Sequence, residues 1–184
     1  MKNLKAIFMT LIVAVLATSF ATAQTTASVD NTTPAKDKDI VDIALGSDAH
    51  TTLVAALKAA DLVGALQADG PFTVFAPTND AFDALPEGTV ATLLKPENKA
   101  TLTNILTYHV VAGNFQAADV VKAIKDGNGT ATLTALNGGK LEAFIQDGGV
   151  FLKDEKGGIS KIAVTDLTGS NGVIHVIESV VLPK

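Results

Sequence analysis

The segment "TVFAPTNDAF", Thr73 to Phe82, decides how this chain is read. An alternating apolar run ends at Pro77 and gives way to the small polar residues Thr78, Asn79 and Asp80. Such a passage is where a strand hands over to a helix. Enzymes often place a nucleophile or a phosphate-binding loop at that kind of corner, and a scaffold uses the same polar residues to cap the helix. In the capping reading Thr73, Val74 and Phe75 complete a buried strand, Thr78 or Asn79 caps the next helix, and Asp80 meets the positive end of its dipole. The rest of the chain decides between the two.

Upstream of the corner the spacing is helical. Ile40, Ile43 and Ala44 form one stripe, Leu53, Val54 and Leu57 a second, and Leu62, Val63 and Leu66 a third, with Asp39 and Asp61 as the predicted caps of the first and third. Downstream, Phe82 and Leu85, then Val90, Leu93 and Leu94, then Leu102, Ile105 and Leu106 continue that spacing, with Pro86 and Pro96 dividing the pieces. One more stripe, Val120, Val121 and Ile124, precedes a change to alternation: Ala131, Leu133, Ala135; Leu141, Ala143, Ile145; Val150 to Leu152; Ile162, Val164; and "GVIHVIESVVL". Asn137-Gly138-Gly139, Asp147-Gly148-Gly149 and Lys156-Gly157-Gly158 supply the turns between them. Short helices followed by hairpin-connected strands predict an α+β domain with an antiparallel sheet system.

At the other end, "MKNLKAIFMTLIVAVLATSFATAQ" carries Lys2 and Lys5, an apolar run from Ala6, and Ala21-Thr22-Ala23 before Gln24. This predicts a signal peptide over 1–23, a flexible Thr-rich tether over 24–37 and one folded domain over 38–184. The apolar run is shorter than the ~20 residues of a spanning helix, so the reading is a secreted or periplasmic protein with no membrane insertion once the signal is removed. The chain has no cysteine and is arginine-free, with 14 basic residues against 19 acidic ones and a net charge of -5, which becomes -7 without Lys2 and Lys5. Stability must come from packing alone, and nucleic acid is not an expected partner.

No catalytic constellation is legible. There is no Gly-x-Ser-x-Gly elbow, no His-Glu-x-x-His, no phosphate-binding glycine loop, and the three histidines are His50, His109 and His175. Asp126-x-Asn128-x-Thr130 has Ala131 where a calcium loop needs glycine. No catalytic residue, metal or cofactor is therefore assigned. His175 lies on a strand flanked by apolar residues on both faces, which predicts a buried, hydrogen-bonded imidazole.

"TVFAPTNDAF" (73–82), "LTNILTYHVVAG" (102–113) and "SNGVIHVIESVVLP" (170–183), in this order and spacing, resemble the fasciclin-like domain family. The resemblance spans nearly all of 39–184 and is closest to the single-domain secreted bacterial type. It implies a β-sandwich or wedge with several short helices packed on it, mainly from the N-terminal half. It also implies an extracellular module for adhesion or for matrix and biofilm contacts, with a protein or polysaccharide as partner. In animal members a Tyr-His pair is implicated in integrin binding, and the matching residues are Tyr108 and His109, the candidate binding residues. Some algal relatives carry carotenoids in an apolar groove, which implies an alternative role as carrier of a small apolar ligand such as a pigment or lipid, in an aliphatic pocket near Tyr108.

Overall fold

The structure is a computed structural model that describes residues 37–184. The predicted signal peptide and the tether up to residue 36 lie outside the described residues.

Three α-helices, a 3₁₀ turn (Asp48–His50) between the first two, and a strand lead to the corner. Helix α1 (Ile40–Leu45) starts with a reciprocal cap: Asp42 N donates to Asp39 Oδ1 at 2.8 Å, and Asp39 N donates to Asp42 Oδ2 at 3.3 Å. Helices α2 (Thr51–Ala59) and α3 (Val63–Leu66) follow, then strand β1 (Phe72–Pro77). Beyond the corner come α4 (Asn79–Asp83), α5 (Thr89–Leu93), α6 (Lys99–Tyr108), β2 (Val110–Ala112) and α7 (Ala117–Asp126). The rest is sheet: β3 (Thr130–Thr134), β4 (Lys140–Gln146), β5 (Gly149–Lys153), β6 (Ile159–Gly169) and β7 (Gly172–Ile177).

The strands lie in the order β2-β1-β7-β6-β5-β4-β3. All neighbours are antiparallel except β1 and β7, so the antiparallel expectation fails at one pair. The reason is the long connection between them, four α-helices and five strands, which lets the chain return to pair alongside β1 in the same direction. Strand β6, 11 residues long, pairs with β5 through its first part and with β7 through the rest, with register shifts around Val164. The two ends of the sheet nearly meet, since Val111 bridges Ala135 and Leu136 N donates to Val110 O at 2.8 Å. This is the wedge that the family resemblance implies, in an α+β domain as the spacing predicts.

Alternation on β1 and β7 serves two cores. Val74, Ala76 and Ile174 face the helices and pack with Ile40, Leu57 and Phe82. Phe75 and Ile177 face the interior of the curved sheet and pack with Tyr108, Ile124, Leu141 and Leu152. Each fully buried Phe, Leu or Ile contributes about 1.5–3 kcal/mol by leaving water. His175 is fully buried between them, stacked on Phe75 with ring centroids 5.7 Å apart, as expected from its flanking residues.

The opening corner is scaffold. Ala81 N donates to Thr78 Oγ1 at 3.3 Å, which makes Thr78 the cap of α4, with Asp80 in its first turn. Asn79 does something else: its Oδ1 accepts from Thr52 N at 3.0 Å and Thr51 Oγ1 at 3.1 Å, and its Nδ2 donates to Asp48 O at 2.8 Å. It closes the start of α2 from across the chain.

Three expectations are corrected. Asp61 does not cap α3. It occupies the left-handed position after α2 (φ 60°), where Asp61 N donates to Lys58 O and Leu62 N to Leu57 O, a Schellman end in which an Asp stands where Gly is usual. Ile145 and Val164 are exposed although their alternation points inward, the first at the tip of a hairpin that outruns the core, the second at the irregularity in β6. The last strand stops at Ile177, and Val181 is buried from an irregular segment instead.

Candidate binding site

Tyr108 and His109 sit where α6 ends and β2 begins, and neither side chain reaches the surface, with relative exposures of 0 % and 2 %. The buried stripe Leu102, Ile105, Leu106 turns the last residue of the helix toward the sheet. Tyr108 then enters the second core. Its hydroxyl donates to Lys140 O at 2.6 Å and accepts from Glu155 N at 3.2 Å. Burial pushes the phenol pKa up, and the nearby carboxylates of Glu155 and Asp154 add to that while the Glu155 backbone N–H opposes it.

His109 closes the helix end. Its Nδ1–H donates to Ile105 O at 2.8 Å, and its Nε2 accepts from Val181 N at 3.3 Å. That pair of partners fits the neutral ring with its proton on Nδ1, because a second proton on Nε2 would face an N–H donor. Burial lowers the pKa to about 4, against the opposing pull of the Ile105 carbonyl and the Asp154 charge.

Asp154 completes the knot. Its Oδ1 accepts from Lys156 N at 3.0 Å and Gly158 N at 2.7 Å, and its Oδ2 from Leu182 N at 2.9 Å. The β3–β4 turn is fastened as well, since Asn137 Nδ2 donates to Asn104 Oδ1 at 2.9 Å. Glycine is needed at two of these approaches. A Cβ on Gly139 would lie 2.6 Å from Tyr108 Cε2, and one on Gly158 would lie 2.7 Å from Asp154 Oδ2. Thus α6, two hairpin turns and the segment after β7 are joined at one buried point.

Above this point opens a cleft of about 470 Å³ lined by Lys140, Glu142, Lys153, Glu155, Lys156 and Lys184, among others. Lys153 pairs with Glu142 at 3.6 Å, while Lys140, Lys156 and Lys184 form no ion pair among the described residues. The cleft beside Tyr108 is therefore charged, whereas the carrier alternative calls for aliphatic walls there. The aliphatic side chains near Tyr108 are packed against its ring as core.

The remaining histidines carry no relay. His175 Nε2–H donates to Phe115 O at 2.7 Å, and Nδ1 accepts from Asp166 N at 3.4 Å. His50 Nδ1 lies 2.8 Å from Ser47 Oγ, a serine contact of a kind a hydrolase would use, but among the described residues no carboxylate orients the ring and Nε2 has no partner. Burial lowers the His50 pKa. Among the described residues no group of three or more His, Asp or Glu is placed to hold a metal ion, and no helix is long and apolar enough to cross a membrane.

Comparison with known proteins agrees with this architecture. The chain is 51 % identical over 144 residues to Protein sll1483 of Synechocystis sp. (strain ATCC 27184 / PCC 6803 / Kazusa), covering 78 % of this chain and 73 % of that one. It is 35 % identical over 144 residues to transforming growth factor-beta-induced protein ig-h3 of Sus scrofa, covering 78 % of this chain and 19 % of the relative. Among solved structures, a FAS1 domain pair from the insect cell adhesion molecule Fasciclin I superposes with a TM-score of 0.58 at 16 % identity, covering 71 % of this chain and 43 % of that one. The family model described as "Fasciclin domain" matches residues 48–183, which include both Tyr108 and His109. With that match running from the start of α2 through the whole sheet, the chain belongs to the Fasciclin domain family.

Proposed function

We propose that this protein is an exported, non-enzymatic binding module that contributes to cell adhesion or to extracellular matrix or biofilm contacts, with a protein or polysaccharide of the cell surface or matrix as partner. The observation that supports this most directly is how the buried polar groups are spent. Tyr108, His109 and Asp154 all hydrogen-bond backbone groups, so their capacity goes into holding turns in place rather than into proton transfer. The side chains left for outside contact are on the surface that these turns support. Tyr108 and His109 act in binding as positioning residues, which fix the Lys140–Lys156 cleft from below. Family membership favours the adhesion role, since the insect relative of this fold is a cell adhesion molecule. Export rests on the signal peptide read from the sequence.

The carrier alternative has less support. The enclosed apolar cavity behind His50, lined by Ile43, Ala44, Ala76, Leu167 and Ile174, holds about 30 Å³, and the larger apolar groove between α4 and α5, about 440 Å³, is open to solvent and rimmed by Asp83 and Glu87 rather than enclosing. Pigment or lipid sites occupy roughly 300–1,000 Å³.

Deletion of the gene, followed by measurement of surface attachment and matrix cohesion, tests the adhesion reading. Both should fall, and both should recover when purified protein is added back. Unchanged attachment and cohesion in the deletion strain would refute it.

A further inference from the structure

On the helical side of the domain, away from the charged cleft, α4, the turn Pro86–Gly88 and α5 enclose an open groove of about 440 Å³. Its apolar walls are Phe82, Leu85, Pro86, Val90 and Leu94. A second depression of about 320 Å³ shares Glu87 and Gly88 with it and continues past Thr92 and Leu93. Helix α5 contains no fully buried residue: Val90, Leu93 and the following Leu94 rest against the first core with part of each side chain still in water. A run of half-exposed aliphatic groups around a proline turn gains by being covered.

The charge at the rim says what would cover it. The ionisable side chains lining the two depressions are Asp83 and Glu87, with no lysine in either lining. Both residues are exposed, and neither carboxylate makes a side-chain hydrogen bond or ion pair among the described residues. An apolar floor with uncompensated carboxylates at its edge complements an aliphatic segment carrying cations, and on a chain of net charge -5 it repels an anionic lipid surface.

We propose that this groove docks a peptide segment of a partner protein in which aliphatic side chains are flanked by lysine or arginine. The proposal rests on the binding-module reading and names a partner chemistry for it. Aliphatic side chains of the segment fill the space between Phe82, Leu85 and Leu94, and its cations meet Asp83 and Glu87.

The test uses ¹⁵N-labelled protein titrated with three synthetic decapeptides: one with leucine pairs flanked by lysines, one with glutamate for each lysine, and one with serine for each leucine. The first should give saturable shifts centred on residues 82–94, and the other two should bind at least tenfold more weakly. Ala91→Lys places an ammonium and its stem into the groove from an exposed helical position, and Glu87→Lys reverses the rim charge; both residues are exposed, so the fold should persist. Each variant should weaken the lysine–leucine peptide at least tenfold. Equal binding of the glutamate peptide, shifts centred elsewhere, or no saturable shift would overturn the proposal. So would groove-dependent co-sedimentation with phosphatidylglycerol vesicles, which would make the occupant a membrane surface. If attachment falls on gene deletion but is restored equally by wild type and Ala91→Lys, the groove proposal fails and the adhesion reading stands.

Discussion

Acidification should weaken this fold through His109, and the size of the effect follows from its surroundings. In the unfolded chain the imidazole titrates near 6.5, whereas in the folded one burial holds it at about 4. Above pH 6.5 both states are neutral at this residue and it adds no pH dependence. Between pH 6.5 and 4 the unfolded state binds the proton first, so stability is lost as the pH falls. At pH 5 most unfolded chains and about a tenth of folded chains carry the proton, a loss of about 2 kcal/mol, and below pH 4 the full 2.5-unit difference amounts to about 3 kcal/mol. Because carboxylates titrate over the same range, the informative quantity is the difference between wild type and His109→Gln. Urea unfolding at pH 7.5 and pH 5 should show the variant less stable at the higher pH, by about 1–3 kcal/mol for the lost backbone partners. That deficit should shrink by about 2 kcal/mol at pH 5. A deficit that stays constant, or an NMR titration of the folded protein placing His109 near 6.5, would refute the reasoning.

Three further outcomes follow from contacts described above. Asn79→Ala should cost about 1–2 kcal/mol in urea unfolding because it uncaps α2, whereas Asp80→Ala, which loses only a dipole interaction at an exposed site, should cost roughly 0.5 kcal/mol; equal costs would remove the remote-cap role. Gly139→Ala should destabilise by about 1–3 kcal/mol, because the new methyl meets the Tyr108 ring, and pairing it with Tyr108→Ala should abolish the added penalty in a double-mutant cycle. Since Tyr108 is the one tyrosine of the chain, absorbance at alkaline pH reports it alone: its midpoint in the folded protein should lie above 10, and a midpoint at or below 10 would contradict its enclosure.

The parts of the fold that were legible are those set by local spacing. Stripes such as Leu102, Ile105, Leu106 and turns such as Asp147-Gly148-Gly149 carry their meaning within a few residues, and the burial of His175 followed from its neighbours on both strand faces. What stayed hidden depends on partners distant in sequence. Asn79 looks like a cap for its own helix, and only folding brings it to Asp48 and Thr52. Asp61 resembles a helix start because the same residue type suits both a cap and a left-handed helix end. Tyr108 and His109 fall at an element boundary, where an aromatic and an imidazole suit a surface or a core equally well. Their fate is decided by Lys140, Glu155 and Val181, 32 to 72 residues away in the chain. The second glycine of Asn137-Gly138-Gly139 reads as an ordinary turn residue until the Tyr108 ring is seen lying against it.

Strand β6 has a consequence for how the domain comes apart. One continuous strand belongs to both halves of the sheet, so the helix-covered core and the core inside the curved sheet have no seam between them along which one could open alone. Helix α6 adds a second tie, since Leu102 and Leu106 belong to the first core and Tyr108 to the second. Damage to either core therefore reaches the other, and the domain should melt as a single cooperative unit in spite of its two interiors. In the extracellular role proposed above, that would leave no half-open form with one core exposed to proteases while the other still binds.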